Sequence, residues 1–155
     1  MRVLLQRVSE ARVDVDGQTV GAIGAGWLAL VGVGHGDTKT VADQVADKIA
    51  QLRGFEDEQG KTNLSALDVG GSVLLVSQFT LFADLSRGRR PGFTAAAPPE
   101  QAHALVDYLD QALRQRGLHV EQGQFGAHMR VSLVNDGPFT IALDTEEGRS
   151  PARQA

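Results

Sequence analysis

Val3-Leu4-Leu5-Gln6-Arg7-Val8, then Ala11-Arg12-Val13-Asp14-Val15 and Asp16-Gly17, is the stretch on which the fold turns. Its apolar runs predict strands, and Asp-Gly supplies the residues a tight hairpin prefers before Gln18 to Ile23 returns. Trp27 to Val33 is a further apolar run, so the chain opens as an antiparallel meander. Gly32-Val33-Gly34-His35-Gly36 ends it. Asp37 or Thr38 then caps a helix whose apolar positions Val41, Val45, Ile49 and Leu52 recur at helical spacing.

Farther along, Asp57-Glu58-Gln59-Gly60 and Val69-Gly70-Gly71 mark turns, the second just before a strand over Ser72 to Val76. Pro98-Pro99-Glu100 opens a second helix, with Leu105, Leu109 and Leu113 as its buried stripe and Gly117 as its stop. His119 to Gln122, Met129 to Val134 and Phe139 to Leu143 are the remaining strands. Strands outnumber helices and no linker divides the chain. The expected fold is α+β: one domain with a curved, largely antiparallel sheet or barrel and two main helices. The domain spans residues 1–144, followed by a polar tail over 145–155.

Composition narrows the chemistry. There is no cysteine among the 155 residues, which excludes thiol catalysis, thiolate metal sites and disulfides. No apolar run is long enough for a signal peptide or a bilayer span, so the expectation is a soluble cytoplasmic protein with no membrane contact. A net charge of −4 argues against sequence-blind coating of nucleic acid, which needs many Lys and Arg. Arg87-Gly88-Arg89-Arg90 is the densest basic cluster. Gly60-Lys61-Thr62 lacks the earlier glycine of a phosphate loop, where Phe55 stands, and the glycines around Gly34 miss the dinucleotide fingerprint. His35, His103, His119 and His128 have no metal-ligand spacing and none sits in a nucleophile motif. No metal or cofactor is expected. His35 stands apart from the other three because it sits in a glycine-rich loop.

Two segments remain, each at the end of an apolar run: Ser77-Gln78-Phe79-Thr80-Leu81 and Asn135-Asp136-Gly137-Pro138-Phe139-Thr140. Both deliver backbone and small polar groups where a pocket could be built. With Gln6-Arg7-Val8, Asn63-Leu64-Ser65, Asp68-Val69-Gly70-Gly71, Gly88-Arg89-Arg90-Pro91 and Phe125-Gly126-Ala127, they closely resemble the D-aminoacyl-tRNA deacylases. The match covers about Met1 to Asp144.

The resemblance implies hydrolysis of the ester joining a D-amino acid to the terminal adenosine of tRNA. It implies a homodimer with the active site at the subunit interface. Gly137 and Pro138 would form a cis peptide whose carbonyls enter the partner's pocket and hold the α-amino group. The residues alone allow either isomer. Arg7 would brace that motif, with Thr140 beside it, whereas as a strand residue it could equally make a salt bridge or face solvent. Ser77, Gln78, Phe79 and Thr80 would form the catalytic segment, with the Phe79 N–H as an oxyanion donor. Thr80 is either a nucleophile, for which no base is evident, or a pocket residue beside a substrate whose own 2′-hydroxyl assists. Arg87, Arg89 and Arg90 are candidates for the acceptor-stem phosphates. Gly-tRNA is an expected second substrate, because glycine offers no side chain to reject. The alternatives are a non-enzymatic nucleic-acid-binding module and a different ester or amide hydrolase on the same dimeric scaffold.

Overall fold

A computed structural model describes residues 1–146; the rest of the polar tail, 147–155, lies outside the described residues. β1 (Arg2–Val15) is one continuous strand where two segments were expected. It turns through Asp16 and Gly17, at φ +50° and +77°, into β2 (Gln18–Ile23). Two consecutive residues at positive φ match the right-handed twist of a hairpin, which is why Asp-Gly stands there. β3 (Gly26–Gly32) pairs antiparallel with the first half of β1, and β2 with the second half. On its other edge β1 pairs along nearly its whole length with β8 (Arg130–Asp144).

β6 (Ser72–Ser77) and β7 (His119–Gln122) extend the sheet from β3 in parallel. Parallel neighbours need long crossovers. α1 (Lys39–Gln51), within the β3-to-β6 connection, and α3 (Pro99–Gln115), within the β6-to-β7 connection, provide them. The fold is therefore α+β with a curved mixed sheet in which antiparallel pairings outnumber parallel ones, and β2 curls round against β7 to bring it near closure.

Alternation along the strands divides the core in two. Trp27, Ala29 and Val31 face the helices with Val45, Ile49, Leu109 and Leu113, while Leu28, Leu74, Val76 and Val13 fill the concave side. Thr38 caps α1, its hydroxyl accepting the Val41 N–H at 3.3 Å; Asp37 instead accepts the Gly34 N–H at 2.7 Å. A small hairpin, β4 (Phe55–Glu56) with β5 (Thr62–Leu64), and the one-turn helix α2 (Ala66–Val69) complete the chain. Among the described residues no helix is long and apolar enough to cross a membrane.

Candidate active site

The first motif begins where β6 ends. Ser77 pairs with Val31, and the Gln78 N–H reaches the Val31 carbonyl at 2.7 Å. The chain then tightens into a 3-10 turn over Phe79–Phe82, with the Leu81 N–H on the Gln78 carbonyl at 3.2 Å. Gly32 and Gly34 make room for that turn: a Cβ on Gly32 would stand 3.0 Å from the Gln78 carbonyl oxygen, and one on Gly34 3.0 Å from the Phe82 ring. Those glycines serve close packing of the motif. Arg2 supports the turn from behind, donating to the Leu81 carbonyl at 2.9 Å.

The first N–H groups of a helical turn lack partners within it. Among the described residues the Phe79 and Thr80 N–H groups donate to no protein acceptor. Ser77, Gln78 and Phe79 line a cavity of about 700 Å³. Its other walls include His35, Phe93, Pro98, Phe125 and Met129. Thr80 is not among the lining residues; its hydroxyl accepts from Gln78 Nε2 at 2.5 Å and its side chain faces solvent. Phe79 is 56% exposed and packs edge-on against Phe93 at 5.0 Å.

His35 does reach this cavity. Its Nε2 lies 2.7 Å from the Thr94 carbonyl, so that nitrogen must carry the proton and donate. The ring thus ties the Gly34 loop to the opposite wall. Phe93 and Met129 escape a reading of the sequence, because nothing local marks an apolar residue as a cavity wall. Phe125 enters such a reading through the family pattern alone. Among the described residues no three carboxylate or imidazole side chains converge as metal ligands.

The second motif interrupts β8. Gln6 pairs with Thr140 and Val8 with Asn135, so the four residues Asp136 to Phe139 stand opposite Arg7 alone. This is an enlarged β-bulge. The Gly137-Pro138 bond within it is cis. Asn135 Nδ2 closes the neck of the bulge by donating to the Arg7 and Phe139 carbonyls at 2.9 and 3.0 Å.

Arg7 holds the bulge from inside. It is 8% exposed; Nε donates to the Asp136 carbonyl at 2.9 Å and Nη1 to the Gly54 carbonyl at 2.8 Å. Its guanidinium carbon lies 4.7 Å from the centre of the Phe139 ring, which rests on Trp27. Asp136, Gly137 and Pro138 are exposed, as is Thr140, whose hydroxyl lies 3.4 Å from Gln6 Nε2. Arg87, Arg89 and Arg90 are exposed in the loop between Asp84 and Gly92, which pair with each other. The Ser86 hydroxyl, and then its N–H, hold the Asp84 carboxyl below the usual carboxylate range at the start of that loop.

Within one chain the two motifs are far apart. Arg7 lies level with Trp27 and Val73, whereas Ser77 lies level with Val31. Four residues along the strands are about 13 Å, and β1 and β3 lie between β8 and β6 in the sheet. The α-nitrogen and ester carbon of one amino acid are only about 2.5 Å apart, given bond lengths near 1.5 Å. One amino acid cannot touch both motifs of the same chain.

The sequence model of a family described as D-Tyr-tRNA(Tyr) deacylase matches residues 4–144. The chain belongs to the D-Tyr-tRNA(Tyr) deacylase family. A D-aminoacyl-tRNA deacylase of Thermomicrobium roseum is 62% identical over 149 residues, covering 96% of this chain and 97% of the relative. Another, of Chloroflexus aurantiacus, is 58% identical and covers 99% and 96%. Among solved structures, one described as c-Myc DNA Unwinding Element Binding Protein superposes with a TM-score of 0.87 at 40% identity, covering 94% of this chain and 99% of that one. A probable eukaryotic D-amino acid tRNA deacylase superposes at 0.79 with 17% identity, a likeness of fold alone. The family resemblance and the fold class expected from sequence are both borne out, and membership makes this deacylase-family chain a hydrolase.

Proposed function

We propose that the protein hydrolyses the ester of D-aminoacyl-tRNA to free D-amino acid and tRNA, as a homodimer acting in the cytoplasm. The observation that carries this reading is the Phe79 N–H, which has no acceptor among the described residues, in a segment that lines a cavity of about 700 Å³. Ester hydrolysis places negative charge on the carbonyl oxygen, and preorganised backbone donors stabilise it. The Phe79 N–H takes that role, with Ser77 and Gln78 beside it. The ammonium anchor comes from the partner subunit, whose Gly-Pro carbonyls enter the cavity. The separation of the two motifs within one chain supports this division.

Chirality is then a matter of geometry. With ammonium and ester both pinned, the D and L side chains leave the α-carbon in different directions, and the L side chain meets backbone. Rejection by clash exceeds the ~1–3 kcal/mol available from a missing methylene. Glycine has nothing to reject. The expected result is rapid hydrolysis of D-Tyr-tRNA and Gly-tRNA with L-Tyr-tRNA left intact; equal loss of the L substrate would remove the chiral reading.

Thr80 is not the nucleophile in this reading. Its hydroxyl is engaged by Gln78, and an unactivated hydroxyl is a weak nucleophile. The substrate's 2′-hydroxyl assists instead, while the protein positions the ester. Thr80→Ala should therefore keep turnover within about tenfold of the parent, as single-turnover rates would report. Near-complete loss from a folded variant would reinstate Thr80.

Arg87, Arg89 and Arg90 face solvent a few residues beyond the first motif and suit the acceptor-stem phosphates. The likeness to a structure described as a DNA unwinding element binding protein keeps a second reading in view, a nucleic-acid-binding module. Steeply salt-dependent binding of duplex DNA without deacylation would favour it.

A further inference from the structure

The loop assigned to a cationic α-ammonium is itself braced by a buried cation. Arg7 lies beneath Asp136 and Gly137, and its guanidinium is a fixed positive charge. Left uncompensated, that charge would repel an ammonium approaching the Gly137 and Pro138 carbonyls. Among the described residues the carboxylate that forms an ion pair with Arg7 is Asp136, with Oδ2 3.9 Å from Nε.

That distance is too long for a hydrogen bond. The Nε proton goes to the Asp136 backbone carbonyl at 2.9 Å. Bracing is thus a task of the Asp136 main chain, which any residue could perform. The side chain is 64% exposed and contributes charge, not support.

We infer that the Asp136 carboxylate sets substrate affinity by offsetting Arg7 and making the Gly137-Pro138 tip attractive to the α-ammonium. The inference rests on those carbonyls being the ammonium anchor. It makes Asp136 a specificity determinant for a free amino group, acting through the field it places at the tip.

Asp136→Asn keeps the shape and the backbone bond to Arg7 but removes the charge. For D-Tyr-tRNA, KM should rise about five- to tenfold with kcat within about twofold, the scale of one screened charge interaction. The deficit should shrink as salt is raised, and Asp136→Glu should restore most of the affinity. The matched D-2-hydroxyacyl-tRNA, which carries hydroxyl in place of ammonium, should show no change between parent and Asp136→Asn. An unchanged KM for D-Tyr-tRNA, or an equal loss on both substrates, would overturn the role of Asp136. If the parent itself binds the amino and hydroxy substrates equally well, the ammonium anchor fails and the inference falls with it.

Discussion

Arg7→Ala is expected to reduce D-aminoacyl-tRNA hydrolysis at least about a hundredfold and to destabilise the fold by about 3 kcal/mol. The stability loss follows from what the guanidinium leaves behind. The Gly54 carbonyl is buried and the Asp136 carbonyl partly so, and an unpaired buried acceptor costs about 1–3 kcal/mol. The Phe139 ring also loses its stacked cation. The activity loss follows from the bulge: without Nε on Asp136, the four residues opposite one keep the Asn135 bonds at the neck and the Phe139 ring on Trp27, and nothing among the described residues fixes the tip over residues 136–138. Arg7→Lys should not rescue, because one ammonium cannot reproduce a planar fork that bonds two carbonyls and lies on a ring. Urea denaturation and single-turnover hydrolysis would measure the two effects separately. A stability change under about 0.5 kcal/mol would place Arg7 among ordinary surface residues.

Arg7 also shows where sequence reading stops. In β1 it reads equally well as a solvated strand residue, and the family resemblance alone points to a brace. Its two carbonyl partners lie 129 and 47 positions away, so no local pattern announces them. The legible features are those set by neighbours in sequence: the Asp16-Gly17 hairpin, the Val45 and Ile49 face of α1, and the Leu109 and Leu113 face of α3. Polar intervening residues make Met129 to Val134 and Phe139 to Leu143 read as two strands. The structure carries one strand through the bulge because β1 pairs with both parts. The β4–β5 hairpin and the single turn of α2 are too short to show periodicity.

Gly137→Ala and Phe79→Pro should each abolish hydrolysis, by at least about a hundredfold, and a mixture of the two should recover part of it. At Gly137, φ is +149° and a Cβ would lie 2.7 Å from the Phe139 nitrogen and 3.0 Å from its Cβ. Backbone cannot yield to that contact, so the tip must rebuild. Its exposure keeps the cost to the core small. At Phe79, proline removes the N–H at the first position of a helical turn, where the ring is tolerated. Gln78, at φ −147° and ψ 78°, already lies outside the helical region that a following proline disfavours. Phe79→Ala, which loses the ring but keeps the N–H, separates the two contributions and should retain far more activity. If each site takes its N–H from one subunit and its carbonyls from the other, random reassortment makes about half the dimers mixed. Each mixed dimer then has one site with both wild-type motifs and one with neither, giving about a quarter of parental activity. A site built within one chain would give no recovery on mixing, because every chain in the mixture is defective.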